Sequence, residues 1–190
     1  MRSPAISAHA INKALRRFRR NRRGSAAIEF ALVAPLFFVL LFAVIETALV
    51  FFAAQVLENG TQDAARLILT HQAQDSAMTQ SQFSQDLCNR VKMLFTCDGT
   101  TTSALVVTVK SYKPGVAIPA SDIADPIVSG AFTGTPIYQA SNPGDTVLVR
   151  TFYQWPLFVT QLGYNIANLT AGASNKRLLA STYAFRVEPP

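Results

Sequence analysis

Two histidines, two cysteines and eleven carboxylates carry the broadest chemistry in this chain of 190 residues. His9 lies in a basic N-terminal stretch and His71 in a polar one, so neither is placed as a general base or a metal ligand. No nucleophile elbow, phosphate loop or metal-spaced cluster occurs. Asp122 and Asp125 share a proline-rich loop and read as solvated turn residues. The expectation is a protein that is not an enzyme, with no cofactor and no metal. Cys88 and Cys97 have no histidine nearby to complete a metal site. In an oxidising compartment they can pair, closing a short loop for about 2–3 kcal/mol; two free buried thiols are the other reading.

One carboxylate is placed differently. Glu29 sits in Arg22-Arg23-Gly24-Ser25-Ala26-Ala27-Ile28-Glu29-Phe30, five residues after a glycine and at the start of an apolar run. A carboxylate there is costly unless paired or solvated. It either caps the helix N-terminus, where the macrodipole favours negative charge by about 0.3–1 kcal/mol, or it has a partner. In the second reading cleavage after Gly24 frees the amine of Ser25, and Glu29 of a neighbouring subunit pairs with it. Glu46 follows 17 residues later, about 25 Å along a helix axis. It either faces a partner helix or reaches the outer membrane interface.

The element that positions both acids is the run Phe30–Ala54, 25 residues long and about 37 Å as a helix. A hydrocarbon core of about 30 Å is spanned with some tilt. Sixteen of its residues are Leu, Ile, Val or Phe. They favour insertion by on the order of 5–10 kcal/mol, against a cost of about 3 for a carboxylate. A removable secretory signal has an apolar region of only about 7–15 residues ending in a small-x-small site. Here Phe51 and Phe52 occupy the positions such a site needs small, so the run reads as a retained anchor.

Charge supplies the orientation. Residues 1–23 hold eight of the seventeen basic side chains and none of the eleven acids. From Ser25 onward the chain carries nine basic and eleven acidic residues, a net charge of −2. A basic patch confined to one tail beside a span follows the positive-inside rule and points to a lipid bilayer, not to nucleic acid. Residues 1–24 are therefore expected to be a basic cytoplasmic leader, 25–54 a transmembrane helix and 55–190 a translocated domain.

Beyond the span, Val56, Leu57, Gly60, Ala64, Leu67 and Ile68 keep helical spacing, with Gly60 marking a bend or a close approach. Phe83, Leu87, Val91 and Leu94 define a second amphipathic helix capped by Thr79 or Ser81. Leu105–Tyr112, Thr146–Trp155 and Lys176–Val187 read as strands, separated by a long Pro/Gly-punctuated loop. Helices followed by strands predict an α+β fold, with a small antiparallel sheet against the long helix. Trp155, Tyr153 and Phe152 are read as core rather than as an exposed recognition patch.

The block from Arg22 to Arg66, with Ala31-Leu32-Val33-Ala34-Pro35 after the Glu29-Phe30 pair, resembles the N-terminus of TadE-like pseudopilins. These belong to the tight-adherence (Tad/Flp) pilus systems of bacteria, a branch of the type IV pilin superfamily. The ending Phe185-Arg186-Val187-Glu188-Pro189 is also similar to endings in that family. The resemblance implies that Gly24 precedes the cut of a prepilin peptidase, that Ser25 becomes the new N-terminus and that Glu29 is its +5 carboxylate. Glu29, Phe30 and Glu46 would then serve subunit pairing. Serine at the new terminus departs from the phenylalanine of ordinary type IV pilins, which puts methylation in doubt. The mature chain of 166 residues is long for a major pilin of this system and implies a minor, initiating or tip-proximal subunit. The implied partners are the peptidase, other pilin-like subunits and the inner-membrane pilus platform. The implied location is the bacterial inner membrane, with the C-terminal domain periplasmic.

Overall fold

The computed structural model describes residues 25–97, 104–162, 164–173 and 175–189. The leader 1–24, with Gly24, lies outside the described residues. The chain divides into two compact units, one up to Phe42 and one from Ala43 to Pro190. Of the first unit, residues 25–42 are helical, and nearly all of their described side chains are exposed.

Helix α1 (Ser25–Leu69) contains Pro35 without a break in the helix. From Ala43 onward one face is buried. Ala43, Glu46, Val50, Ala53, Leu57, Thr61, Ala64 and Ile68 recur every three or four residues, the spacing of a single helical stripe. The short helix α2 (Gln72–Asp75) lies in the polar segment after it. Helix α3 (Gln80–Val91) opens with the reciprocal cap its sequence carries. Thr79 Oγ1 accepts from the Gln82 N–H, and Gln82 Oε1 accepts from the Thr79 N–H at 2.8 Å. Phe83, Leu87 and Val91 turn inward from α3.

Gly60 lets α1 and α3 touch. A Cβ at that position would stand 2.5 Å from Val91 Cγ1. Of the two readings of this glycine, close packing is the one the structure takes.

Strands β1 (Leu105–Tyr112), β5 (Thr146–Pro156) and β6 (Lys176–Arg186) form an antiparallel meander, as their β-branched and aromatic runs predict. The long loop is not wholly irregular. It holds the one-turn helix α4 (Ala120–Ile123), the hairpin β2 (Ile127–Val128) with β3 (Ala131–Phe132), and β4 (Ile137–Tyr138). β4 pairs parallel with β1, so the sheet is mixed, in the order β4-β1-β5-β6. The fold is α+β, with this one parallel pair added to the expected antiparallel sheet.

Strand alternation sends Val107, Val109, Val147, Val149, Tyr153 and Leu179 into one cluster with the inner stripe of α1 and with α3. The opposite face buries Val106, Phe152, Leu169 and Leu178, with Ile127 and Phe132 against them. There the Gly130 carbonyl accepts from the Thr170 and Ala171 N–H groups at 2.9 and 3.1 Å. Gly130 has φ +75°, and a Cβ would meet Thr170 Oγ1 at 2.4 Å, so both its backbone and its surroundings call for glycine. Tyr153 and Trp155 pack edge-on to Phe95, and Phe152 is buried: these aromatics belong to the core.

Candidate functional site

The first part of the site is the outer surface of α1. Its apolar side chains from Ile28 to Phe42 are largely exposed, among them Phe30, Leu32, Val33, Leu36 and Phe37. Such a stripe all round a helix is a surface built for lipid or for other helices. Glu29 stands on this exposed stretch, one residue before Phe30. By length and composition α1 can cross a membrane, and it is the sole candidate span among the described residues. It anchors the chain in the membrane.

The second part is a clasp between α1 and the turn after β5. Glu46 is only 5% exposed. Its carboxylate accepts from the Phe158 N–H and, through both oxygens, from the Val159 N–H at 3.2 Å. These amides open the 3-10 turn Val159–Leu162, whose unpaired N–H groups are a natural carboxylate receptor. On the next residue, Thr47 Oγ1 donates to the Ala43 carbonyl at 2.8 Å and bonds the Tyr164 hydroxyl at 3.0 Å. Glu46 was expected to meet a partner helix or the interface; the contacts it makes here are within its own chain. The turn offers it backbone donors 112 residues away in sequence. Beside the clasp a groove of about 350 Å³ runs between α1 and β6, lined by Val50, Phe51, Ala54, Tyr164, Ile166 and Leu178, with Arg177 at its rim.

A second α1–sheet bond lies deeper. Thr61 and Thr151 hydroxyls meet at 2.6 Å, both fully buried, and Thr61 donates to the Leu57 carbonyl at 2.7 Å. With that proton committed, Thr151 donates to Thr61. The pair ties helix to central strand at one register.

Cys88 and Cys97 are joined in a disulfide with Cα atoms 5.9 Å apart. It links α3 to the segment after Phe95, which packs on Tyr153.

The acids of the long loop are structural. Lys110 Nζ and the Tyr112 hydroxyl each donate to Asp122 at 2.6 Å, and Arg150 Nη1 donates to the Asp122 and Ala124 carbonyls at 2.8 and 3.0 Å. Hydrogen bonds from Lys110 and then Tyr112 hold the Asp122 carboxyl below the usual range. Burial first, and the bond to Asp122 second, push the Tyr112 hydroxyl up. Asp145 Oδ2 accepts from the Asn142 N–H at 2.9 Å and from Ser111 Oγ at 3.0 Å, closing the turn before β5. The Asn142 bond is the main cause of its lowered pKa. His71 Nε2 bonds the Glu188 carbonyl and fastens the C-terminal end to the end of α1. Among the described residues no group of three or more His, Cys, Asp or Glu could hold a metal.

Sequence reasoning missed the Glu46 receptor, because backbone amides leave no side-chain signature. The three-four spacing of Ala43, Glu46, Val50, Ala53 and Leu57 inside the apolar run was the signal that could have found it. Comparison with curated proteins and with solved structures gives no match. Residues 24–66 match the family model described as TadE-like protein, and residues 67–190 lie outside that match. The matched segment covers the membrane-anchoring stretch, Glu29, the clasp residue Glu46 and the close approach at Gly60. Over that segment the chain is similar to the TadE-like family.

Proposed function

We propose that this protein is a minor pilin-like subunit that helps to assemble a Tad-type pilus for surface attachment. A prepilin peptidase cuts after Gly24 at the cytoplasmic face of the inner membrane. Ser25 becomes the N-terminus, and the chain beyond the span, residues 55–190, is held on the periplasmic side. The observation that carries this reading is the coincidence of four features within Arg22–Phe30: basic flank, glycine, +5 carboxylate and the start of a span-length helix. The disulfide supports an oxidising compartment for the domain. The helix architecture supports assembly by side-to-side packing, since the exposed surface of α1 before Ala43 is apolar and carries Glu29.

In this account Glu29 pairs with the freed Ser25 amine of a neighbouring subunit. Glu46 bonds the turn after β5 of its own domain, while Glu29 is the carboxylate five residues after the glycine. The substitution Glu29→Val tests this reading. The variant is expected to insert in the membrane and to be processed normally, while pilus-dependent attachment is lost. Normal attachment would reduce Glu29 to a helix cap.

A further inference from the structure

The exposed face of α1 stays apolar well past the point where the domain begins to pack on its other face. Val44, Ile45, Leu49, Phe51 (72% exposed) and Phe52 (57%) face outward beside a stripe buried from Ala43 onward. The outward face turns polar only at Gln55, Glu58 and Asn59. Residues Phe30–Phe42 supply about 20 Å of helix, and even Ser25–Phe42 only about 27 Å, against a hydrocarbon core of about 30 Å. The span is therefore too short if the domain stays clear of the bilayer. From Glu46 to Gln55 is nine residues, about 14 Å. A headgroup layer is about 5–8 Å thick.

What sits at the level of Glu46 is suited to that depth. Phe158, whose N–H bonds Glu46, exposes 78% of its surface. No charged residue occurs from Thr151 to Asn175. The Glu46 carboxylate, costly against lipid, is covered by the turn's own amides. Lys176 and Arg177 pair across the ladder with Pro156 and Trp155 at the root of the turn; Lys176 is exposed there, while Arg177 Nη1 donates to the Ile166 carbonyl at 2.7 Å.

We propose that the turn Leu157–Val159, led by Phe158, inserts into the leaflet from which α1 emerges, so that the domain is seated in the membrane rather than above it. The occupant of the exposed belt from Val44 to Phe52 and Phe158 is lipid. This rests on α1 spanning the membrane but not on cleavage or pilus assembly.

Full-length protein carrying Phe158→Trp with Trp155→Phe, reconstituted in vesicles, reports the depth by fluorescence. The expected result is blue-shifted emission that loses most of its intensity when the lipids are brominated near the headgroup end of the acyl chains. A Gln72→Trp control in α2, beyond the far end of α1 and in the same Trp155→Phe background, keeps its intensity. Emission typical of water, or blue-shifted emission that brominated lipid does not quench, overturns the proposal; the latter would mean a protein neighbour covers Phe158. A second measurement leaves Trp155 in place. Photoactivated acyl-chain diazirine lipid should modify the peptide containing Phe158 as well as α1. Labelling of α1 without that peptide overturns the insertion alone, and no labelling of α1 overturns the span as well.

Discussion

Gly60 separates a prediction made from helix propensity from one made from packing. Replacing an interior helical glycine by alanine is worth about 1 kcal/mol in favour of the helix. In this fold the added Cβ would lie 2.5 Å from Val91 Cγ1 and 3.7 Å from Leu87 Cδ1. Val91 is β-branched and fully buried, so its methyl group has no free rotamer into which to retreat. Overpacking of this kind costs about 1–3 kcal/mol, which equals or exceeds the propensity gain. Gly60→Ala should therefore lower the melting temperature of the full-length protein, by up to about 8 °C for a net loss of up to about 2 kcal/mol in a domain of this size. Val91→Ala removes the opposing methyl. In that background the same Gly60→Ala change should become stabilising by as much as about 1 kcal/mol, a reversal of sign that measures the contact directly. The assay is thermal unfolding in detergent followed by Trp155 fluorescence for the four proteins of the cycle. A higher melting temperature for Gly60→Ala in the native background would refute the close approach of α1 and α3.

Two further outcomes follow from the clasp and from the acid cluster. Glu46→Ala leaves the Phe158 and Val159 amides without their acceptor, a loss of about 1–3 kcal/mol per buried donor. Hydrogen exchange at those two amides should accelerate while Val107 and Val149 stay protected; unchanged exchange would show that the carboxylate does not hold the turn. Asp122 and Asp145 have folded-state pKa values below their ordinary ones, so they bind fewer protons when folded than when unfolded. Their contribution is present above about pH 4 and is lost as pH falls through the lowered values. Asp122→Asn should lower stability near neutrality, where the ionised carboxylate contributes, and flatten the acid limb, so that variant and native protein converge at low pH. An equally steep acid limb in the variant would assign that loss to other groups.

Much of the fold can be read in the chain because its signals are local. The Leu105–Tyr112 strand is a run of β-branched residues. The turn Asn142–Asp145 opens β5 through the Asp145 carboxylate accepting from the Asn142 N–H, and Thr79 with Gln82 forms a reciprocal cap. What stayed hidden is set by distant partners. β4 is two residues long and owes its existence to pairing with β1, so no window of sequence marks it. Inside Phe30–Ala54 nearly every residue is apolar, and hydropathy alone cannot separate the face that meets lipid from the face that meets the sheet. The domain begins at Ala43, inside the stretch that composition assigns to the membrane. Glu46 was recognised as unusual, yet its partners are two amides more than a hundred residues downstream. Asp122 looked solvated because Lys110 and Tyr112 reach it from a strand that the loop only later rejoins.

In the proposed assembly route the basic leader is removed at Gly24 so that α1 can join other subunits. Intact-mass measurement of protein extracted from membranes, in cells with and without the prepilin peptidase, tests it most directly. With the peptidase the mass should be that of residues 25–190, with Ser25 at the N-terminus. Without the peptidase, or with Gly24→Ala, the leader should remain. A full-length chain in cells that build the pilus would contradict the account and leave an uncleaved membrane protein whose outer domain binds a partner.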